Sequence, residues 1–110
     1  MTLDSNNAEK TKQVYQFLKS ELLHEDTRGF QYLLLLIMQN MDNPNRAGLT
    51  ITGMCRELSA QLEVSPTNLR YHLRRTLVRA NELRKEKGLS EYNLSAFVIM
   101  VFNRFSVKQE

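Results

Sequence analysis

Polar side chains with hydrogen-bonding groups are concentrated in residues 66–84. If this segment is helical, a rotation of about 100° per residue brings four of them to one face: Thr67, Asn68, Tyr71 and Arg75. Asn can bond an adenine edge at two points, and Arg can do the same for guanine. Thr and Tyr can add single hydrogen bonds or contact a thymine methyl group. The pattern therefore predicts a face that reads the bases of double-stranded DNA.

Positive charge is predicted on both flanks of this face, where an inserted helix meets the sugar-phosphate backbone. The predicted phosphate-contacting residues are Ser65, Arg70, His72, Arg74 and Arg79. Residues 1–63 contain six basic and eight acidic residues, whereas residues 64–110 contain nine basic and four acidic ones. Such asymmetry favours a polyanionic partner on one side of the molecule. The solvated face of an amphipathic helix would show the same basic pattern, and that alternative stays open.

Apolar residues recur at helical spacing along the whole chain and do not alternate with period two. This predicts an all-α fold of five to six helices in one domain over residues 1–110. The first helix is expected at 7–23, with Asn6 and Glu9 as a capping pair and His24 at its C-terminal end. A second helix is expected from about Phe30 to Met41, and Pro44 lies in the clearest loop.

The next two helices carry the functional prediction. Thr50 or Thr52 can cap a third helix that ends at Leu62, and Ser65 with Pro66 is a strong start signal for a fourth helix that ends at about Lys85. We expect Pro66, Leu69, Leu73, Leu77 and Ala80 on its buried face. Residues 55–75 thus form a helix-turn-helix pattern, whose second helix enters a major groove about 12 Å wide. Asn93 can cap a fifth helix.

The sequence offers little for catalysis or metal binding. His24, His72 and Cys55 are the only imidazole and thiol groups, which is too few for a zinc site, and the four glycines are isolated. We predict no enzyme activity, no cofactor and no metal, and we expect Cys55 to be a small buried side chain. The apolar run 33–38 is too short to cross a membrane, and the lone cysteine is typical of a cytoplasmic protein.

The chain resembles a known family, the C-terminal DNA-binding effector domain of the sporulation initiation response regulators of endospore-forming bacteria. The resemblance covers residues 24–107. It is carried by residues 29–33, by Leu69 with residues 73–77, and by residues 95–101. It implies a six-helix bacterial domain that binds a short promoter element, often as tandem copies, and contacts RNA polymerase to activate or repress transcription. It implies no catalysis.

Three features depart from the family. Residues 67–71 read Thr-Asn-Leu-Arg-Tyr where the family has Ser-Arg-Val-Glu-Arg, which predicts a different target sequence. The connection 86–93 is shorter than the family's, in a region that contacts polymerase there, so the resemblance supports DNA binding more directly than activation of transcription. We also expect the module to stand without the receiver domain that controls the family's full-length regulators.

The sequence therefore supports two hypotheses about function. The first is a sequence-specific transcriptional regulator whose recognition helix spans 66–84. It would act as a homodimer or a tandem pair on DNA, because one recognition helix contacts few base pairs and the last helix is apolar. The second is a helical protein-interaction module that binds a partner regulator or an RNA polymerase subunit without touching DNA.

Overall fold

The computed structural model describes residues 2–21, 23, 27–41 and 50–105 of the chain. These residues form five helices: α1 (Thr2–Ser20), α2 (Arg28–Asn40), α3 (Ile51–Leu62), α4 (Pro66–Glu86) and α5 (Leu94–Phe105). The described part of the chain contains no β-strand. The predicted all-α fold class is confirmed.

Side-chain caps start four of the helices. The Thr50 hydroxyl accepts from the Gly53 N–H at 3.0 Å, so Thr50 rather than Thr52 caps α3. Ser65 accepts from the Asn68 N–H at 3.0 Å and precedes Pro66 at the first position of α4, as the sequence predicts. Asn93 caps α5 through the Ala96 N–H at 3.3 Å. Thr27 caps α2 through the Phe30 N–H at 3.1 Å.

The first helix differs from its predicted bounds of 7–23. It begins at Thr2 and ends at Ser20, so the predicted cap at Asn6 is wrong. Neither Gly nor Pro interrupts residues 2–20, and a polar residue inside a helix costs only tenths of a kcal/mol relative to Ala. His24, the Pro44 loop and Leu22 lie outside the residues that the structure describes.

The core is built around α2, which packs against each of the other four helices. Apolar side chains from all five helices meet there and are fully or almost fully buried: Val14, Leu18, Phe30, Leu33, Leu36, Ile37, Cys55, Leu58, Leu69, Leu73, Phe97, Val98 and Val101. Within the described residues, no helix is long and apolar enough to cross a membrane. The burial gives α4 one side fixed against α2 and α3.

A polar cluster holds the C-terminal half of α4 to the rest of the molecule. The Arg84 guanidinium donates to the Glu21 carboxylate at 3.0 Å and to the Ser90 carbonyl at 2.6 Å, and lies over the Tyr92 ring at 4.1 Å. Asn81 exchanges two hydrogen bonds with the Tyr92 backbone, at 2.7 and 2.9 Å. Burial and the hydrogen bond to Glu21 raise the pKa of Tyr92. The cluster therefore connects α1, α4 and the segment before α5.

Candidate nucleic-acid interface

The connection between α3 and α4 consists of residues 63–65. Glu63 adopts a left-handed conformation, with φ 58° and ψ 39°, and its backbone N–H donates to the Ser59 carbonyl. The Val64 N–H donates to the same carbonyl at 3.1 Å. These two bonds end α3 and occupy one of its last carbonyl groups. The connection is therefore a tight turn with a defined path, which fixes where α4 begins.

The inner face of α4 is largely as predicted. Leu69, Leu73, Leu77 and Ala80 are buried. Pro66 is exposed and lines a surface groove, so its predicted place on the buried face is wrong. The reason is that the core on this side of α4 ends at Leu69, almost one helical turn further along.

Thr76 is a buried residue that the apolar pattern did not reveal. It is 3 % exposed, and its hydroxyl lies 3.3 Å from that of Thr27 at the start of α2. Gly29 lies beside it against the backbone of His72, where a Cβ on Gly29 would come within 2.8 Å of the Thr76 Cβ. The α2 and α4 backbones thus approach more closely than any residue with a side chain at position 29 would allow.

The four predicted base-reading residues are all exposed: Thr67, Asn68, Tyr71 and Arg75. Tyr71 is 54 % exposed, and Arg75 donates to its hydroxyl at 3.4 Å. Asn68 carries its cap bond through its backbone N–H, which leaves the amide side chain free of that role. The structure therefore brings these residues to one solvent-facing side of α4.

The predicted phosphate-contacting residues divide into two groups. Ser65, Arg74 and Arg79 are exposed, whereas Arg70 and His72 are half-buried. The His72 ring packs edge-on against Tyr32 and Tyr71, with centroids 5.8 and 5.3 Å away. The Arg70 Nε atom is buried and has no hydrogen-bond partner in the described part of the chain. In the N-terminal half of α4, these two side chains thus lie partly against the body of the protein.

Two grooves run along the sides of α4. The first groove is lined by Pro66, Thr67, Arg70, Tyr71, Arg74, Arg75 and Val78. The second groove lies between α4 and the start of α2 and is lined by Thr27, Arg28, Gly29, Tyr71, His72, Arg75, Thr76 and Arg79. Tyr71 and Arg75 line both grooves, so they form the ridge that separates them.

The charged side chains of α4 around this ridge are all positive. Residues 66–80 contain four arginines and no acidic residue, and the first acid on α4 is Glu82. Val78 belongs to the same exposed side and is 53 % exposed, which the sequence reasoning did not single out. Arg84 does not belong to the ridge, because Glu21, Ser90 and Tyr92 engage it. Basic residues, with no acidic residue among them, therefore occupy the N-terminal two thirds of α4.

Other reactive groups in the described residues do not form a site. Cys55 is completely buried, and burial raises the pKa of its thiol. No group of three or more His, Cys, Asp or Glu side chains in this part of the chain could hold a metal ion. Cys55 is thus a small core residue, as the sequence predicts.

Comparison with family models, with curated proteins and with solved structures found no match for this chain. The resemblance to the sporulation regulators accordingly stays a prediction, and so do the roles that it implies.

Proposed function

We propose that this protein binds double-stranded DNA through the exposed side of α4. The observation that carries the proposal is the ridge of Tyr71 and Arg75, with Arg70 and Arg74 on one flank and Arg79 on the other. A helix that enters the major groove needs hydrogen-bonding side chains at its crest and cations on its flanks, because the bases lie between two phosphate backbones. The composition of the ridge matches this requirement.

The way in which α4 is held supports the same function. Its buried side is fixed by Leu69, Leu73 and Leu77, while its other side is free to meet a large ligand. Reading bases requires side chains in fixed positions, since a hydrogen bond weakens steeply once its geometry departs from linear. In the proposal, Thr67, Asn68, Tyr71 and Arg75 read bases, and Ser65, Arg70, His72, Arg74 and Arg79 meet phosphates.

The biological role we propose is that of a bacterial transcriptional regulator in the cytoplasm. It would bind as a homodimer or tandem pair, because one helix in one groove reads too few base pairs for useful specificity. A contact with RNA polymerase is part of this role by resemblance only. We propose neither catalysis nor a cofactor for the chain.

A second candidate function rests on a different observation. Tyr71 and Val78 are each more than half exposed on the same side of α4, at 54 % and 53 %. An aromatic and an aliphatic side chain two turns apart on one face of a helix are also suited to a protein partner that offers an apolar groove. In this alternative the domain binds a regulator or a polymerase subunit through α4, and the arginines select an acidic partner.

Salt dependence separates the two candidates. The first step is to enrich bound sequences from a random duplex pool and then to measure affinity for the enriched site between 50 and 200 mM salt. With several phosphates neutralised, affinity should fall by about a factor of a thousand or more over that range. If no sequence is enriched and the affinity for every duplex is negligible at 50 mM salt, the DNA proposal is wrong and the interaction module remains.

A further inference from the structure

We infer that Arg28, at the start of α2, forms a second phosphate-binding position together with Arg79, on the flank of α4 opposite Arg70 and Arg74. The inference rests on the proposed function, since it identifies where one strand of the duplex crosses the protein. Arg28 is exposed and lines the second groove with Arg75 and Arg79. Arg28 was not among the residues that the sequence singled out for DNA contact.

The close packing of α2 on α4 puts Arg28 in this position. Gly29 lies against the His72 backbone, and Thr27 meets Thr76 through their hydroxyl groups at 3.3 Å. The residue between these two contacts is Arg28, so its backbone is fixed relative to α4 on both sides. The base of a cationic side chain from a second helix is therefore fixed beside the ridge.

Helix stability does not account for an arginine at this position. Arg28 is the first residue of α2, and the first turn of that helix contains no acidic residue. Positive charge there opposes the helix dipole, which disfavours it. Arg28 forms no ion pair within the described residues, and the other charged residues that line its groove are the arginines Arg75 and Arg79. A bound anion would lower the electrostatic repulsion among these like charges, which have no ion-pair partner in that part of the chain.

The duplex backbone is the anion that fits the arrangement. Tyr71 and Arg75 form the ridge between the two grooves, so a helix seated in the major groove has one phosphate strand on each side. Arg70 and Arg74 face the first strand. Arg79 alone would face the second strand from α4, and Arg28 adds a contact there from α2. The protein then holds both strands, which fixes the orientation of α4 in the groove.

The test compares Arg28→Ala, Arg28→Lys and the control Lys12→Ala by salt titration of binding to the enriched duplex. Lys12 is exposed on α1 and lines neither groove. For each bound copy of the protein, Arg28→Ala should lower affinity roughly five- to tenfold at 0.1 M salt and reduce the magnitude of the salt slope by about 0.9. It should do so for enriched and random duplexes alike. Arg28→Lys should keep most of the slope, and Lys12→Ala should behave as wild type.

Phosphate ethylation interference on the enriched site gives a second readout. Within each half-site, the wild type should be sensitive to ethylation on both strands, and Arg28→Ala should lose one sensitive phosphate on one of those two strands. If Arg28→Ala keeps the wild-type slope and interference pattern while Arg79→Ala loses both, the inference is wrong and the proposed function stands. If the wild type binds no duplex and instead captures an acidic protein segment, both are wrong. Circular dichroism checks that each variant is folded.

Discussion

Gly29 lies against the backbone of His72, so closely that a Cβ on Gly29 would come within 2.9 Å of the His72 carbonyl carbon. This contact joins the most buried helix of the core to the middle of α4. His72 is flanked in sequence by Tyr71 on the ridge and by Leu73 in the core. The position of the ridge is therefore coupled directly to the packing of α2.

The first prediction concerns this contact. Gly29→Ala should destabilise the fold by about 1–3 kcal/mol or more, because the added methyl group meets backbone atoms of His72 that cannot turn away. The matched control is Gly53→Ala, whose Cβ would meet only the Thr50 hydroxyl, at 3.4 Å. That change should stabilise α3 by up to about 1 kcal/mol. Urea denaturation of the two variants measures both effects, and equal stabilities would refute the close approach.

The second prediction separates structural arginine from surface arginine on α4. Arg84→Ala should cost about 1–3 kcal/mol of folding stability, because it removes the only cation paired with the Glu21 carboxylate in the described residues and leaves that group with the Tyr92 hydroxyl alone. The Arg84 and Glu21 side chains are only 11 % and 21 % exposed. Lys85→Ala, at the exposed neighbouring position, should stay within about 0.5 kcal/mol of wild type. A Glu21→Gln and Arg84→Ala cycle with no coupling energy would argue against this cluster.

The third prediction tests the turn that positions α4. Glu63 is the one non-glycine residue with positive φ in the described residues, so Glu63→Gly should stabilise the protein by about 0.5–1 kcal/mol. The reverse change is Gly88→Ala at φ 76°, which nothing crowds, and which should destabilise by a similar amount. Thermal unfolding compares the pair. Loss of stability in Glu63→Gly would show that the side chain of Glu63 outweighs its backbone strain.

The fourth prediction concerns the flanks of the ridge. Arg74→Ala and Arg79→Ala should each weaken binding to all duplexes alike and reduce the salt slope by about 1 per bound copy, because both residues are exposed and are assigned to phosphates. Fluorescence anisotropy with the enriched and with a random duplex measures this. A loss confined to a single base position, with the salt slope unchanged, would assign these arginines to bases instead.

The helices could be predicted where the signal is local. Ser65 with Pro66 and Asn93 act on backbone N–H groups a few residues away, so their chemistry can be read directly from the sequence. The start of α1 could not be found in this way, because several weak caps compete and none is decisive. The predicted burial of Pro66 is wrong because helical periodicity extends the apolar stripe of α4 beyond Leu69, where the buried core ends.

The contacts that fix α4 could not be predicted, because they join residues distant in the chain. Arg84 and Glu21 are 63 positions apart, Tyr92 and Glu21 71, and Thr27 and Thr76 49. Nothing in the local sequence distinguishes Arg84 from the exposed arginines Arg74, Arg75 and Arg79, since all lie on one basic helix. Arg28 was missed for the same reason: only the packing of α2 on α4 brings it beside Arg79. By contrast, helical periodicity alone predicted that Thr67, Asn68, Tyr71 and Arg75 share one exposed face of α4.

The central claim is that the exposed side of α4 reads the sequence of duplex DNA. Its most direct test is the ratio of affinities for the enriched site and a random duplex, compared between wild type, Asn68→Ala and Lys12→Ala. Asn68 is exposed, so its removal should leave thermal stability within about 0.5 kcal/mol. The ratio should fall about five- to 150-fold, as expected for a lost two-point base contact of roughly 1–3 kcal/mol, and Lys12→Ala should keep it. A folded Asn68→Ala protein with the full wild-type preference would contradict the assignment of this face to DNA.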